Sequence, residues 1–114
     1  MSAELEKLAN LDGVTGLCHH RGGIILWQRL PDTLTKDSAA ALCATVSKAF
    51  ISYHSAERTL REAYLEFSSH SVLVIARPPA SPDQPPREFL TVLLCDRAAV
   101  AEAAKVGESF WRSE

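Results

Sequence analysis

Apolar and polar side chains repeat with a helical period over residues 35–56, within the longest stretch of the chain that lacks glycine and proline. At about 3.6 residues per turn, these side chains divide into a broad apolar face, a polar face and a flank of small residues. The apolar face contains Ala39, Leu42, Val46, Ala49, Phe50 and Tyr53, the polar face Ser38, Thr45, Lys48, Ser52 and Ser55, and the flank Ala40, Ala44, Ser47 and Ile51. The flank indicates either close contact with a second helix or only the helix preference of alanine.

The other apolar segments predict five strands, a short first helix and a last helix. The strands are 14–20, 24–30, 59–67, 72–76 and 89–95, and the helices are 2–10 and 97–111, with Ser2, Thr35 and Asp96 as expected N-caps of the three helices. Charges on both faces of 59–67 are typical of an edge strand. The segments 72–76 and 89–95 are apolar on both faces and therefore require cover on both.

This order of elements predicts an α+β fold, α-β-β-α-β-β-β-α, in one domain of residues 1–114. We expect the central helix to cover one face of the sheet and the two terminal helices to cover the other. The consecutive bulky residues 24–27, IILW, do not alternate, so both faces of that strand are expected to be at least partly covered.

Composition narrows the function classes. The chain has 46% hydrophobic residues and a net charge of −2, with no basic surface signal for nucleic acid and no apolar run long enough for membrane insertion. The polar start MSAELEKLAN does not resemble a signal peptide. Cys18, Cys43 and Cys95 are isolated and odd in number, which favours buried, reduced thiols in a cytoplasmic protein.

The residue types that carry chemistry do not form a recognisable catalytic, cofactor-binding or metal site. Cys18, His19 and His20 are consecutive, but they lack the paired spacing of zinc ligands, and Cys95 is expected near the opposite end of a neighbouring strand. Cys43 lies on the apolar helix face, where a thiol stays protonated. The proline-rich segment 77–87 contains PxxP matches and is interpreted either as a spacer or as a ligand for a proline-binding domain.

Three segments together resemble the roadblock/LC7 family, which is related to dynein light chains and bacterial regulators of Ras-like GTPases. They are LANLDGVTGLCHHRGGIILWQRLP, the alanine-rich central helix, and LREAYLEFSSHSVLVI followed by FLTVLLC and a closing helix. The resemblance covers nearly the whole chain, although the segment 77–87 is longer than the usual hairpin. It implies a five-stranded antiparallel sheet in the order 2-1-5-4-3, and a dimer with itself or a related chain through third strands and central helices.

The residue pattern agrees with such a dimer, because an edge strand and a small-residue flank both call for partners. The predicted interface consists of Ala40, Ala44, Ser47, Ile51, Leu60, Glu62, Tyr64 and Leu65, and the predicted platform for a partner GTPase consists of Thr45, Lys48 and Ser52. The resemblance thus implies a cytoplasmic, non-enzymatic adaptor or regulator of a Ras-like GTPase, without a cofactor. The alternative is a small-ligand sensor of the PAS or profilin-like type, which needs a pocket between sheet and central helix.

Overall fold

The computed structural model describes residues 3–55 and 57–113, and Ser2, the expected first N-cap, lies outside them. Its elements are α1 Ala3–Ala9, β1 Val14–Arg21, β2 Ile24–Arg29, α2 Lys36–Tyr53, β3 Glu62–Glu66, β4 Ser71–Ala76, β5 Phe89–Leu94 and α3 Val100–Ser113, with a 3₁₀ turn at Arg97–Ala99. All strand pairs are antiparallel and the sheet order is β2-β1-β5-β4-β3. The predicted fold class and strand order are therefore confirmed.

Side-chain caps fix where the second and third helical segments begin. The Thr35 side chain accepts a hydrogen bond from the Ser38 amide at 3.1 Å, and the Asp96 carboxylate accepts one from the Ala98 amide at 2.9 Å. Each bond satisfies an amide that has no partner within the helix. Asp96 caps the 3₁₀ turn, so regular α-helix begins only at Val100, later than the sequence predicts.

Helices cover both faces of the sheet, as the doubly apolar strands require. On β4, Leu73 and Ile75 pack with α1 and α3, whereas Val72 and Val74 pack with α2. The core between the sheet and the two terminal helices also contains the buried residues of α1 and α3. They are Leu5, Leu8, Ala103, Val106, Phe110 and Trp111. Among the described residues, no helix has both the length and the hydropathy needed to cross a bilayer.

Several residues expected in the core are exposed. Ala49 and Tyr53 face outward because α2 turns its Val46 and Phe50 side chains toward the sheet. On β2, the expectation that the strand is covered on both faces is wrong at two residues, since Ile24 is 70% and Leu26 is 51% exposed. The reason is position in the fold: β2 is an edge strand.

The β1–β2 pairing also contains a bulge. His19 pairs with Trp27 and His20 pairs with Ile25, so Leu26 has no opposite residue on β1. A bulge of this kind bends an edge strand and makes it a poorer template for pairing with another chain. The pairing of the edge strand β2 with β1 is therefore interrupted by a bulge. The other edge strand, β3, pairs with β4 without a bulge.

The proline-rich segment 77–87 connects β4 to β5 as a loop that is closed at its base. Ala76 pairs with Phe89, and the Arg77 amide donates to the Glu88 carbonyl at 2.8 Å. The loop also touches the end of α2, where His54 Nε2 lies 3.2 Å from the carbonyl oxygen of Asp83. The extra length that distinguishes this hairpin thus lies outside the sheet and leaves the strand order unchanged.

Candidate interaction surface

The strand β3 presents a row of main-chain groups at the edge of the sheet. The Ala76 amide donates to the Arg61 carbonyl at 2.9 Å, and the Phe67 amide donates to the His70 carbonyl at 2.8 Å. In an antiparallel pair, every second residue of a strand forms main-chain hydrogen bonds to the neighbouring strand. Between Arg61 and Phe67, the main-chain groups therefore point alternately toward β4 and away from it. The amides and carbonyls that point away from β4 belong to Glu62, Tyr64 and Glu66. Their orientation suits pairing with a further strand.

Apolar side chains accompany this edge on the face that carries α2. Leu65 pairs with Val72, which packs under α2, and Leu65 is 39% exposed beside it. Phe67, just after β3, is 48% exposed. Leu60, another residue of the predicted interface, is half-buried against the same core layer. This surface, defined by Leu60, Leu65 and Phe67, is called the β3–α2 surface below. Ile51 of α2 is 47% exposed but lies apart from it, in a cleft that Arg21, Pro85 and Arg87 also line.

Tyr64 and Glu62 lie on the opposite face of β3 from Leu65. The Tyr64 hydroxyl is 2.9 Å from Ser71 Oγ, and the Arg97 guanidinium lies 5.9 Å from the tyrosine ring centre. Burial, and then repulsion from Glu108, raises the pKa of Glu62. These two predicted interface residues therefore flank the free edge of β3 without contributing to the β3–α2 surface.

The small residues of the α2 flank have an explanation within one chain. A Cβ atom added at Gly23 would lie 3.5 Å from Ala44 Cβ and 3.6 Å from the Ala40 carbonyl, so the β1–β2 turn lies directly against this flank. Ser47 is buried, and its hydroxyl donates to the Cys43 carbonyl at 2.7 Å. Of the four flank residues, Ala44 and Ile51 remain exposed.

The predicted platform residues Thr45, Lys48 and Ser52 are all exposed on the outer side of α2. Thr45 satisfies its hydroxyl by donating to the Ala41 carbonyl at 2.9 Å. These three side chains are therefore placed on an accessible helical face, as the sequence pattern predicts.

The space between α2 and the sheet is filled by packed side chains. Phe50 and Phe89 meet edge to face with ring centres 5.1 Å apart, and Cys18 packs with Cys43. A hydrogen bond from Cys43 lowers the pKa of Cys18, while the same contact and burial raise the pKa of Cys43. In the described part of the chain, every buried side-chain nitrogen and oxygen has a hydrogen-bond partner. At one end of this layer a cleft of about 600 Å³ opens between α2 and β5, and its lining includes Ser47, Arg21 and Arg87.

His20 is part of that packed layer. Its Nδ1 lies 2.9 Å from the Gly22 carbonyl and its Nε2 lies 2.7 Å from Thr91 Oγ1. Because a carbonyl only accepts, Nδ1 carries the proton and Nε2 accepts from the threonine hydroxyl. Burial lowers the pKa of His20 to about 4, so the ring is neutral in the folded chain near pH 7.

The three cysteines are not alike. Cys18 and Cys43 are buried, as expected, but Cys95 is exposed, and the expectation for it is wrong. β5 ends at Leu94, and Cys95 lies in the short connection to the Asp96 cap. No group of three or more histidine, cysteine or acidic side chains that could hold a metal is found within residues 3–55 and 57–113.

The sequence pattern gives no sign of a charged cluster around Glu88. This carboxylate is almost fully buried at the start of β5, with His19 Nε2 at 2.7 Å, Arg21 Nε at 3.1 Å and Arg77 Nη1 at 3.4 Å. Burial alone would raise the pKa of Glu88, but hydrogen bonds from His19 and Arg21 outweigh it and lower the pKa. The residues come from β1 and from the two sides of the base of the proline-rich loop, so no local motif joins them.

Comparisons with known proteins identify the fold. No protein-family model and no curated protein sequence matches the chain. Among solved structures, it is similar to a roadblock/LC7 domain from Streptomyces avermitilis, with a TM-score of 0.69 and 18% identity over 95% of this chain and 88% of that one. It is also similar to MglB in a tetrameric arrangement, with a TM-score of 0.63 and 13% identity over 93% of this chain and 86% of that one. The chain therefore has the roadblock/LC7 fold.

Proposed function

Starting from the roadblock/LC7 fold, we propose that this chain is a dimeric, non-enzymatic regulator or scaffold for a Ras-like small GTPase, acting in the cytoplasm. The dimer forms by pairing of β3 with β3 of a second copy or a related chain, together with contact between the α2 helices. The observation that carries the proposal is the free edge of β3 beside the exposed side chains of Leu65 and Phe67.

The energetics favour use of this surface. Complete burial of an aliphatic side chain such as Leu65 contributes about 1.5–3 kcal/mol, and a two-fold dimer buries one copy from each chain. Only part of each side chain remains exposed, and association costs translational and rotational freedom, so the gain is smaller than the full figure. Main-chain hydrogen bonds between the two β3 strands set the register in which they pair. A two-fold arrangement uses the edge completely and ends growth at two copies.

The proposed GTPase role rests on two further points. The neighbour named MglB and the roadblock/LC7 domain share this fold, and the family resemblance implies regulators of Ras-like GTPases. Thr45, Lys48 and Ser52 remain exposed on α2, and two α2 helices side by side would join these residues into one platform. A regulator of this kind orders the partner's own catalytic residues and needs none itself.

Sedimentation velocity at micromolar concentration tests the dimer with two matched variants. Leu65→Asp places a charge in the β3–α2 surface and is expected to give monomers that keep the wild-type circular dichroism spectrum. Leu26→Asp is the control, because Leu26 is also exposed, 51% against 39%, and lies on the opposite edge of the sheet. A monomeric wild-type chain, or a dimer that Leu65→Asp leaves intact, would contradict the proposed interface.

The GTPase role needs a separate measurement. Lys48→Glu should keep the dimer but reduce capture of a GTPase, identified by mass spectrometry through its P-loop sequence, on immobilised protein. Lys105→Glu on α3 carries the same charge change on an exposed residue of the other layer and should leave capture unchanged. If the wild-type dimer captures no P-loop GTPase, with GDP or with GTP supplied, the GTPase role is contradicted. The result for the dimer is not affected by this outcome.

A further inference from the structure

The proline-rich loop and the Glu88 cluster together form a surface pocket of about 300 Å³. Arg21, Arg77 and Arg87 line it together with Glu88 and prolines of the loop. Proline has no amide hydrogen, so the donors in this pocket come mainly from the guanidinium groups. It adjoins a second cleft, in which Ser47 and Ile51 of the predicted interface lie with Arg21, Pro85 and Arg87.

Glu88 holds two of these arginines in place. Its Oε1 accepts from Arg21 Nε at 3.1 Å and from Arg77 Nη1 at 3.4 Å, while Oε2 accepts from His19 Nε2 at 2.7 Å. A guanidinium carries five N–H donors, so these contacts leave most donors of Arg21 and Arg77 available. The Arg77 side chain is further oriented by Trp111, whose ring centre lies 5.9 Å from its guanidinium carbon.

Arg87 differs from the other two arginines. It is exposed and, within the described residues, forms no hydrogen bond or ion pair. Three arginines against one carboxylate leave a surplus of two positive charges at this pocket, in a chain whose overall charge is −2. A phosphate monoester carries between about −1.5 and −2 near pH 7, and its oxygens match the planar fork of arginine. A carboxylate would neutralise only half of the surplus.

We propose that this pocket is a binding site for the phosphate monoester dianion, with Arg21 and Arg77 preorganised by Glu88 and Arg87 closing over the ligand. The phosphate is carried either by a small metabolite or by a phosphorylated side chain of a partner protein, because both present the same group. The proposal does not rest on the proposed dimer or on the GTPase role.

Isothermal titration calorimetry at low ionic strength tests the site with three probes. These are N-acetyl-O-phosphoserine amide, glucose 6-phosphate and, as the carboxylate control, N-acetylglutamate amide. Low salt matters because exposed charges are screened within about 10 Å at 0.1 M. We expect at least one phosphate ester to bind in the millimolar range or tighter, and the glutamate derivative to bind much more weakly. Preference for phosphoserine assigns a protein source, and preference for the sugar phosphate assigns a metabolite.

Arg87→Gln is the decisive variant. The Arg87 side chain forms no hydrogen bond or ion pair with the described residues, so its replacement should leave the fold intact. Loss of one charge-assisted contact should weaken phosphate binding by about tenfold. Arg112→Gln, an exposed arginine on α3 outside this pocket, is the matched control and should bind as the wild type does. Absence of phosphate binding, equal binding of the glutamate derivative, or equal weakening in the two variants would overturn the proposal.

Discussion

Replacing His20 by glutamine should change how stability depends on pH. The pKa of His20 is about 4 in the folded chain against 6.5 ordinarily, because burial disfavours the charged ring. Between these two pH values, His20 is protonated in the unfolded chain but neutral in the folded chain. Stability from the neutral His20 is therefore complete above pH 6.5 and is lost as the pH falls toward 4.

The size of the effect follows from the same pKa values. One pKa unit corresponds to about 1.4 kcal/mol, so lowering the pH from about 7.5 to about 5 should cost the wild type about 2 kcal/mol through this residue. Glutamine at position 20 still reaches the Thr91 hydroxyl but does not titrate. It loses the bond to the Gly22 carbonyl and the stacking on Phe89, so a lower stability near neutral pH is expected.

Urea unfolding at several pH values between about 7.5 and 5 measures this difference, with the free energy of unfolding as the readout. The pH is kept at about 5 or above for the following reason. The ionised Glu88, whose pKa is lowered in the folded chain, also stabilises the fold, and this contribution is lost only at more acidic pH. His70→Gln, at an exposed histidine in the β3–β4 turn, is the control and should keep the wild-type pH dependence. An equal loss for wild type and His20→Gln would refute the reasoning.

Two further predictions concern packing and thiol exposure. A Cβ added at Gly107 would collide with Cδ1 of Ile75, so Gly107→Ala should be less favourable by about 1–3 kcal/mol in the wild type than in an Ile75→Val background. Urea unfolding of the four chains gives this coupling, and equal effects in both backgrounds would contradict the clash. In the folded chain, Cys95 should react rapidly with Ellman's reagent, whereas Cys18 and Cys43 should react only on unfolding. Rapid reaction of all three thiols would contradict the packing of α2 on β1.

Periodicity predicts those parts of the fold whose environment depends on nearby residues. The alternation and charges of the third strand predict an edge, and Thr35 and Asp96 begin their helical segments because a cap needs only local main chain. Sequence pattern does not distinguish an apolar run in the middle of a sheet from one at its edge. Ile24 and Leu26 were therefore expected to be covered, although β2 is an edge strand.

Features that depend on long-range contacts were missed for the same reason. The interaction of Glu88 with His19 and Arg21 joins β1 to the residue just before β5, and the sequence around Glu88 resembles an ordinary solvated loop end. The small residues Ala40 and Ala44 were interpreted as a possible contact with another helix. Within the chain they lie against the β1–β2 turn at Gly23, a contact that helical periodicity does not reveal.

The central proposal, that β3 pairs with β3 of a second copy, is tested most directly by hydrogen exchange at the outward-facing amide of Tyr64. Within residues 3–55 and 57–113 of an isolated chain, this amide has no main-chain partner, because the hydrogen bonds to β4 are formed by the residues on either side of it. Residue-resolved exchange measured by NMR at increasing protein concentration should show rising protection of Tyr64, together with Glu62 or Glu66. Rapid exchange of the Tyr64 amide at every concentration, including concentrations at which sedimentation shows a dimer, would contradict it.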